Sequence, residues 1–162
     1  IRDRAEGVLE MVQFKLNRVP VEPITDKEFL VGCEIRNMDA FMSGIEKNYK
    51  NFSTETIDFV GRNYGTESRA VFELANENPE LAEIVCEDGQ ILASVVYAVL
   101  NESAKTLNDI LLRRTGIGNI GHPGETVLQK IANIAAKELN WDQTKRDRET
   151  EIVDAALRLP TE

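Results

Sequence analysis

The chain has 162 residues, 42% of them apolar, which suits one domain with a sizeable hydrophobic core. Its net charge of −9 and its lack of any basic run argue against nucleic acid as the main partner. No apolar stretch approaches the ~18 residues of a membrane span, and the charged first residues lack a signal-peptide core. We therefore expect a cytoplasmic chain, and because it does not begin with Met we expect it to be part of a longer protein.

The cysteine and histidine content argues against the common zinc sites. Cys33 and Cys86 lie far apart without a CxxC motif, and His122 is the one histidine. Nothing in the spacing supports a disulfide between the two cysteines, so we expect both to be reduced and partly buried.

A helix-forming apolar stripe opens the chain, and an extended connector follows it. The connector contains Pro20 and Pro23 and lacks a regular period. We divide the chain into an N-terminal helix (1–18), the connector (19–35) and a C-terminal helical domain (36–162). The apolar side chains of the first stripe are Ala5, Val8, Leu9, Val12 and Leu16.

Capping and stop signals divide the next part of the chain into short helices. The first helix spans 39–49, Ser53 caps the second, and Gly65 ends that helix in a left-handed conformation. Thr66 caps the third, and Pro79 opens a short helical turn. The side chains predicted to face inward are Phe41, Ile45, Tyr49, Ile57, Val60, Tyr64, Val71, Phe72, Ala75, Leu81 and Ile84.

The most apolar segment spans residues 91–101 and follows a turn at 87–89. Its run of β-branched residues is compatible with a strand. Its length, together with Ala93 and Ala98, favours a buried helix, which we predict.

A short helix with its own start signal is predicted at 106–115. Thr106 can cap it, and Asp109 lies three residues later, where its carboxylate can reach back to the cap. Arg113 and Arg114 occupy the last turn, which suits the helix dipole. Because successive helical residues point about 100° apart, we predict that one arginine pairs with Asp109 and the other needs a partner elsewhere. The apolar face consists of Leu107, Ile110 and Leu111.

Two longer helices follow a glycine-rich loop at 116–124. Asp142 caps the second of them, with Trp141 as its hydrophobic staple, and we expect its charged run 145–151 to be solvated. Nearly every segment has a helical period, which predicts an all-α fold: a compact irregular bundle of about six to eight helices. The predicted inner faces are Val127, Leu128, Ile131, Ile134, Ala135 and Leu139 in the first helix, and Ile152, Val153 and Ala156 in the second.

No catalytic constellation can be assembled from the residues. The loop matches GxGxxG at 116–121, but a dinucleotide site needs a strand before it, and here a helix precedes it. His122 has no nucleophile at triad spacing, and the acidic residues between 77 and 88 lack calcium-loop spacing. We therefore predict no catalytic, cofactor-binding or metal-binding residue. The helix start at Glu125, together with a neighbouring arginine, remains a candidate site for a phosphate or sulfate ion.

Three motifs follow one another at sensible spacing. They are Tyr64-Gly65-Thr66, then Glu-x-x-x-Thr-Leu-x-Asp-x-Leu-x-Arg-Arg-Thr at 102–115, and Glu-Leu-x-Trp-Asp at 138–142. Over about residues 55–155 the chain resembles the C-terminal domain of FAD-dependent glycerol-3-phosphate dehydrogenases and α-glycerophosphate oxidases.

The resemblance implies a role beside a flavin-binding domain. Members of the family oxidise sn-glycerol 3-phosphate to dihydroxyacetone phosphate and pass electrons through FAD to a quinone or to oxygen. The flavin fingerprint lies in the upstream domain, so this chain by itself should bind no FAD and should cap or brace that domain. Its first helix would be the helix that leaves the flavin domain. Interdomain or anion contacts would come from Arg113, Arg114, Glu102 and Asp109.

Two further expectations remain. The parent protein would form a homo-oligomer or a peripheral contact at the cytoplasmic membrane face. The alternative reading of the residues is a free-standing helical binding or regulatory module that docks through the apolar segment 91–100.

Overall fold

A computed structural model describes residues 2–19, 21–24 and 26–158. These residues form seven α-helices and no strand, which confirms the predicted all-α bundle. None of the helices described combines the length and the apolar character needed to cross a bilayer. The α-helices are α1 (Arg2–Lys15), α2 (Met38–Asn48), α3 (Thr54–Tyr64), α4 (Ser68–Glu77), α5 (Ala93–Leu100), α6 (Glu125–Leu139) and α7 (Gln143–Leu157). Shorter elements are the 3₁₀ turns Gly65–Glu67 and Pro79–Ala82 and a π-helix, Asp109–Arg114.

Helix α5 lies at the centre of the core. Every residue from Ala93 to Val99 is buried, and α4, α6 and the π-helix pack around it. The prediction of a helix over a strand is therefore correct, although the helix is shorter than predicted. Ile91 lies before it and forms an isolated antiparallel bridge with Ile84 across the predicted turn. Because Ile84 is in this extended arm and not in a helix, its side chain is 49% exposed, and its predicted inward position is wrong.

Most of the predicted caps are present. Ser53 accepts a hydrogen bond from the Thr56 amide at 3.2 Å, and Asp142 accepts one from the Lys145 amide at 2.7 Å. The prediction for Thr66 is wrong, because Thr66 lies inside the first 3₁₀ turn. Helix α4 begins after that turn, and no side chain caps it.

Helix α7 packs with a different face from the one predicted. Val153 is buried as expected, but Ile152 is 50% exposed and Ala156 is also exposed. Glu149 and Thr150, from the run expected to be solvated, are buried instead. The periodicity of three apolar residues was too weak to set the rotation of this helix.

The N-terminal segment is helical as predicted, and the connector after it is irregular with short turns instead of extended throughout; Pro20 lies outside the described residues. Its predicted apolar stripe is exposed: Val8, Leu9, Val12 and Leu16 have between 45% and 61% of their surface accessible. Both cysteines are unbridged. Cys86 is partly buried as expected, but Cys33 is exposed, because it lies in the connector outside the core. The division of the chain into three parts stays a prediction.

The connector meets the helical body at the Tyr64-Gly65-Thr66 turn. The Thr66 amide donates a hydrogen bond to the Gly32 carbonyl at 3.0 Å. Gly65 has φ 54° and ψ −130°, so its φ is positive as predicted, but its ψ is not that of a left-handed helix. A Cβ placed on Gly65 would lie 1.9 Å from the Gly32 carbonyl oxygen. Glycine is therefore required here by both backbone conformation and space.

We predict that Gly65→Ala lowers the free energy of unfolding by at least about 2 kcal/mol, because it adds backbone strain and a steric clash. Urea unfolding measures this change. The matched control is Gly44→Ala in α2, where an added Cβ meets nothing within 4 Å. The control should be neutral or stabilising by up to ~1 kcal/mol, since alanine favours a helix interior. Equal effects of the two substitutions would contradict this account of Gly65.

Candidate functional site

The capping box predicted before the π-helix is present. The Asp109 amide donates to the Thr106 hydroxyl at 3.1 Å, and the Asp109 carboxylate accepts from the amides of Thr106 at 3.1 Å and Lys105 at 3.2 Å. Burial opposes the ionisation of Asp109, but the hydrogen bonds from Thr106, Lys105 and Arg113 outweigh it and lower its pKa. The carboxylate is thus held ionised at the start of the helix, where negative charge is favourable.

The segment that carries the two arginines is a π-helix, not the predicted α-helix. The Thr115 amide donates to the carbonyl of Ile110, five residues earlier, at 2.9 Å, and the Thr115 hydroxyl donates to the same oxygen at 2.7 Å. Such wide turns are rare and often occur at functional positions. The predicted apolar face is confirmed, since Leu107, Ile110 and Leu111 are fully buried.

The two arginines have different surroundings. Arg113 forms an ion pair with Asp109, as predicted for one of them. Arg114 is exposed and makes no hydrogen bond to any residue that the structure describes. Its positive charge acts on Glu102, which is half-buried: burial raises the pKa of Glu102, and Arg114 partly offsets that rise. The structure therefore brings the four predicted contact residues together as two pairs, one hydrogen-bonded and one purely electrostatic.

Glu149 is a structural carboxylate that the sequence analysis missed. It lies on α7 with 6% of its surface exposed, accepts a hydrogen bond from the Leu107 amide at 3.0 Å, and pairs with Lys145 at 2.6 Å. A buried charge is tolerated only when its hydrogen bonds are satisfied, as they are here. The only sequence signal was its i,i+4 spacing from Val153, which places both residues on one face of a helix.

Polar groups from four elements meet near the end of α5. The Tyr97 hydroxyl donates to Glu67 at 3.2 Å, and the rings of Tyr64 and Tyr97 meet edge to face with centroids 5.2 Å apart. Burial raises the pKa of each tyrosine to about 12, and the charge of Glu102 adds to both shifts. Ser94 acts on Tyr64 in the opposite direction and lowers its pKa. Both tyrosines are protonated at neutral pH.

The glycine-rich loop has the architecture of a connector. It follows the π-helix, with no strand before it, and Gly118 packs closely against Leu112 and Leu157. The side chains of His122, Glu125 and Asp154 place one potential ligand atom each within 4.8 Å of one another.

His122 is already committed to hydrogen bonds that disfavour a metal. Its Nδ1 accepts from the Gly124 amide at 2.9 Å, so its Nε2 carries the proton and faces Asp154 at 2.9 Å. Asp154 also binds Arg158. A metal on Nε2 would need the other tautomer, whose Nδ1–H would point at the Gly124 N–H. His122 and Asp154 therefore form a hydrogen-bonded contact between the loop and α7.

Comparisons with known proteins establish the family. Residues 23–146 match the family described as the C-terminal domain of alpha-glycerophosphate oxidase, and the chain belongs to this family. It is 33% identical, over 73% of its length, to a probable mitochondrial glycerol-3-phosphate dehydrogenase of Dictyostelium discoideum. It is 28% identical, over 91% of its length, to a glycerol-3-phosphate dehydrogenase of Synechocystis sp.. The chain spans only 20% and 27% of the lengths of these relatives. No solved structure matches it significantly.

We predict that Asp109→Ala lowers the free energy of unfolding by about 1–2 kcal/mol at pH 7, because the amides of Lys105 and Thr106 lose their acceptor. The stabilisation from Asp109 should be complete above its ordinary pKa of 3.8. It should disappear as the pH falls through the lower value of the folded state. The difference in free energy of unfolding between the variant and the native chain, measured with urea, should therefore be smaller near pH 3 than at pH 7. Glu87→Gln, at an exposed position in a turn outside the helices, is the control and should leave stability within about 0.5 kcal/mol. The same difference in stability at both pH values would contradict the role assigned to the Asp109 carboxylate.

Proposed function

We propose that the chain is the C-terminal accessory domain of an FAD-dependent glycerol-3-phosphate dehydrogenase and that it braces the flavin-binding domain. The parent would oxidise sn-glycerol 3-phosphate to dihydroxyacetone phosphate and pass the electrons through FAD to a quinone or to oxygen. The FAD would be held by the upstream domain, with no residue of this chain in the catalytic machinery. Family membership supports the proposal, as does the small share of its relatives' length that the chain spans.

The exposed apolar surface of the N-terminal segment carries the proposal. Within the described residues before Gly32, most large apolar side chains are more than half exposed. A surface of this kind marks an interaction site. We assign it to the upstream flavin-binding domain, because α1 and the connector come first in the chain and the relatives are much longer. The side chains are Val8, Leu9, Met11, Phe14, Leu16, Val19, Val21, Ile24, Phe29, Leu30 and Val31.

The alternative of a free-standing regulatory module has little support from the packing. That module was expected to dock through residues 91–100, but Ala93 to Val99 are buried inside the domain. Only Leu100, at the end of the segment, is largely exposed. The surface that would bind a separate partner is therefore used by the core.

Deletion of residues 36–162 from the longer polypeptide tests the bracing role. We expect the remaining flavin-binding domain to keep its FAD spectrum but to unfold at a lower temperature, because it loses its contacts with the helical domain. We also expect the isolated chain of 162 residues to show no glycerol-3-phosphate oxidation. An unchanged thermal transition after the deletion would refute bracing, and turnover by the isolated chain would refute the accessory role.

The two arginines are expected to respond differently to substitution. Arg114→Ala should leave unfolding of the isolated chain unchanged but increase limited proteolysis of the longer polypeptide, because Arg114 is proposed to contact the flavin domain. Arg113→Ala is the matched control, which should lower the stability of the isolated chain by roughly 0.5 kcal/mol through loss of an exposed i,i+4 pair. Identical proteolysis of the Arg114 variant and the native polypeptide would count against the contact.

A further inference from the structure

His122 holds the loop before α6 through a hydrogen bond to the main chain. Its Nδ1 atom accepts from the Gly124 amide at 2.9 Å, and its Nε2 atom lies 2.9 Å from the Asp154 carboxylate. A main-chain N–H group can only donate, so the Nδ1 atom must present a free lone pair to it. The neutral ring, with its proton on Nε2, therefore satisfies both partners.

A second proton on the ring is incompatible with this arrangement. The one unprotonated position of the neutral ring is Nδ1, and protonation there turns the acceptor into a donor. The Nδ1–H group and the Gly124 N–H group would then point at each other, so their hydrogen bond must break. Rotation of the ring about its Cβ–Cγ bond does not restore the bond, because it brings a carbon atom to the place that Nδ1 leaves.

The carboxyl groups beside the ring attract its protonated form. The hydrogen bond from Arg158, followed by the one from His122, lowers the pKa of Asp154 against an opposing effect of desolvation, so Asp154 is ionised wherever histidine titrates. Ligand atoms of His122, Asp154 and Glu125 all lie within 4.8 Å of one another. Arg158 donates to Asp154 at 2.6 and 2.8 Å and offsets part of this negative charge.

The start of α6 repels a positive charge on the other side of the ring. Gly124 directly precedes the first residue of α6, and no side chain caps this end of the helix. The positive end of the helix dipole disfavours a cation there. A protonated ring is thus drawn towards Asp154 and repelled from Gly124, and both effects favour loss of the bond to the Gly124 amide.

Little else holds the loop at this point. The Gly124 amide has no second acceptor among the described residues, and an added Cβ on Gly121 or Gly124 would meet nothing within 4 Å. The side chain of Ile120 in the same loop is 91% exposed. A segment with so few packing contacts changes conformation at a small cost in free energy.

We propose that His122 is a pH-sensitive switch of this loop: protonation of its ring releases the Gly124 amide, while the ring keeps its contact with Asp154. Histidine side chains ordinarily titrate between about pH 5 and 8. The loop is therefore held in one conformation at the upper end of this range and released at the lower end. The inference is independent of the proposed function, because every group in it belongs to the described part of this chain.

The test is a ¹H–¹⁵N NMR titration of the 162-residue chain from about pH 8 to about pH 5. The ring nitrogens of His122 report its protonation, and the Gly124 amide reports the hydrogen bond. We expect the Gly124 amide proton to lose its downfield shift at the pH at which the ring gains its proton. The amides of residues 119–121 should shift with it, whereas that of Gly61, inside α3, should not respond.

His122→Asn is the matched variant that cannot titrate. An asparagine oxygen can accept from the amide two residues later, as the side-chain oxygens of Asn78 and Asp88 do at 3.2 Å elsewhere in this chain. The Gly124 amide of this variant should keep its hydrogen-bonded shift throughout the titration. If the variant shows the same transition as the native chain, another group drives the loop and the inference is overturned.

Asp154→Asn tests the contact that the protonated ring is proposed to keep. This variant retains an oxygen acceptor for Nε2 but removes the negative charge that favours the protonated ring. The transition of the Gly124 amide should therefore move to lower pH. Glu46→Gln removes one negative charge from an exposed position in α2 and should leave the transition where it is in the native chain. An unchanged transition in Asp154→Asn would overturn the retained contact.

The native chain gives the remaining outcomes. A His122 ring that titrates while the Gly124 amide keeps its hydrogen-bonded shift overturns the switch, and so does a ring that stays neutral down to about pH 5. Coincident transitions of ring and amide, absent in His122→Asn and displaced in Asp154→Asn, support it. None of these measurements involves the upstream domain, so the bracing role is tested separately.

Discussion

Burial of α5 on every side is the constraint on which the rest of the structure depends. Residues Ala93 to Val99 have almost no accessible surface, so the neighbouring helices must each turn an apolar face towards them. Such a core tolerates polar atoms only where they are paired. Gln90, which is buried just before α5, meets this condition by donating to the Thr115 carbonyl at 3.0 Å. This hydrogen bond also holds the residue at which the π-helix ends.

The π-helix connects this core to the surface proposed to meet the flavin domain. Glu149 of α7 holds its start through the Leu107 amide, and Gln90 holds its end through the Thr115 carbonyl. With both ends fixed and Arg113 paired to Asp109, Arg114 stays exposed beside Glu102. The π-helix therefore places the exposed cation of Arg114 within electrostatic reach of the Glu102 carboxyl group.

Features whose partners lie a few residues apart were predictable from the sequence. The caps at Ser53, Asp142 and Thr106 join atoms three residues apart, so residue types in order are sufficient evidence. The Thr66 cap was wrong because an intervening 3₁₀ turn delays the start of α4. The rotation of α7 was wrong for another reason. The Leu107 amide, 42 residues away from Glu149, draws this charged residue inward.

The sequence by itself determined the all-α fold, the order of the helices, the local caps and the three motifs that mark the family, because these depend on short-range patterns. Tertiary structure alone decided the π-helical geometry, the burial of Glu149, the close packing of Gly32 on Gly65 and the contact of His122 with Asp154. Each of these depends on atoms that are distant in sequence and meet only when the helices pack around α5. A local pattern carries no information about such a meeting.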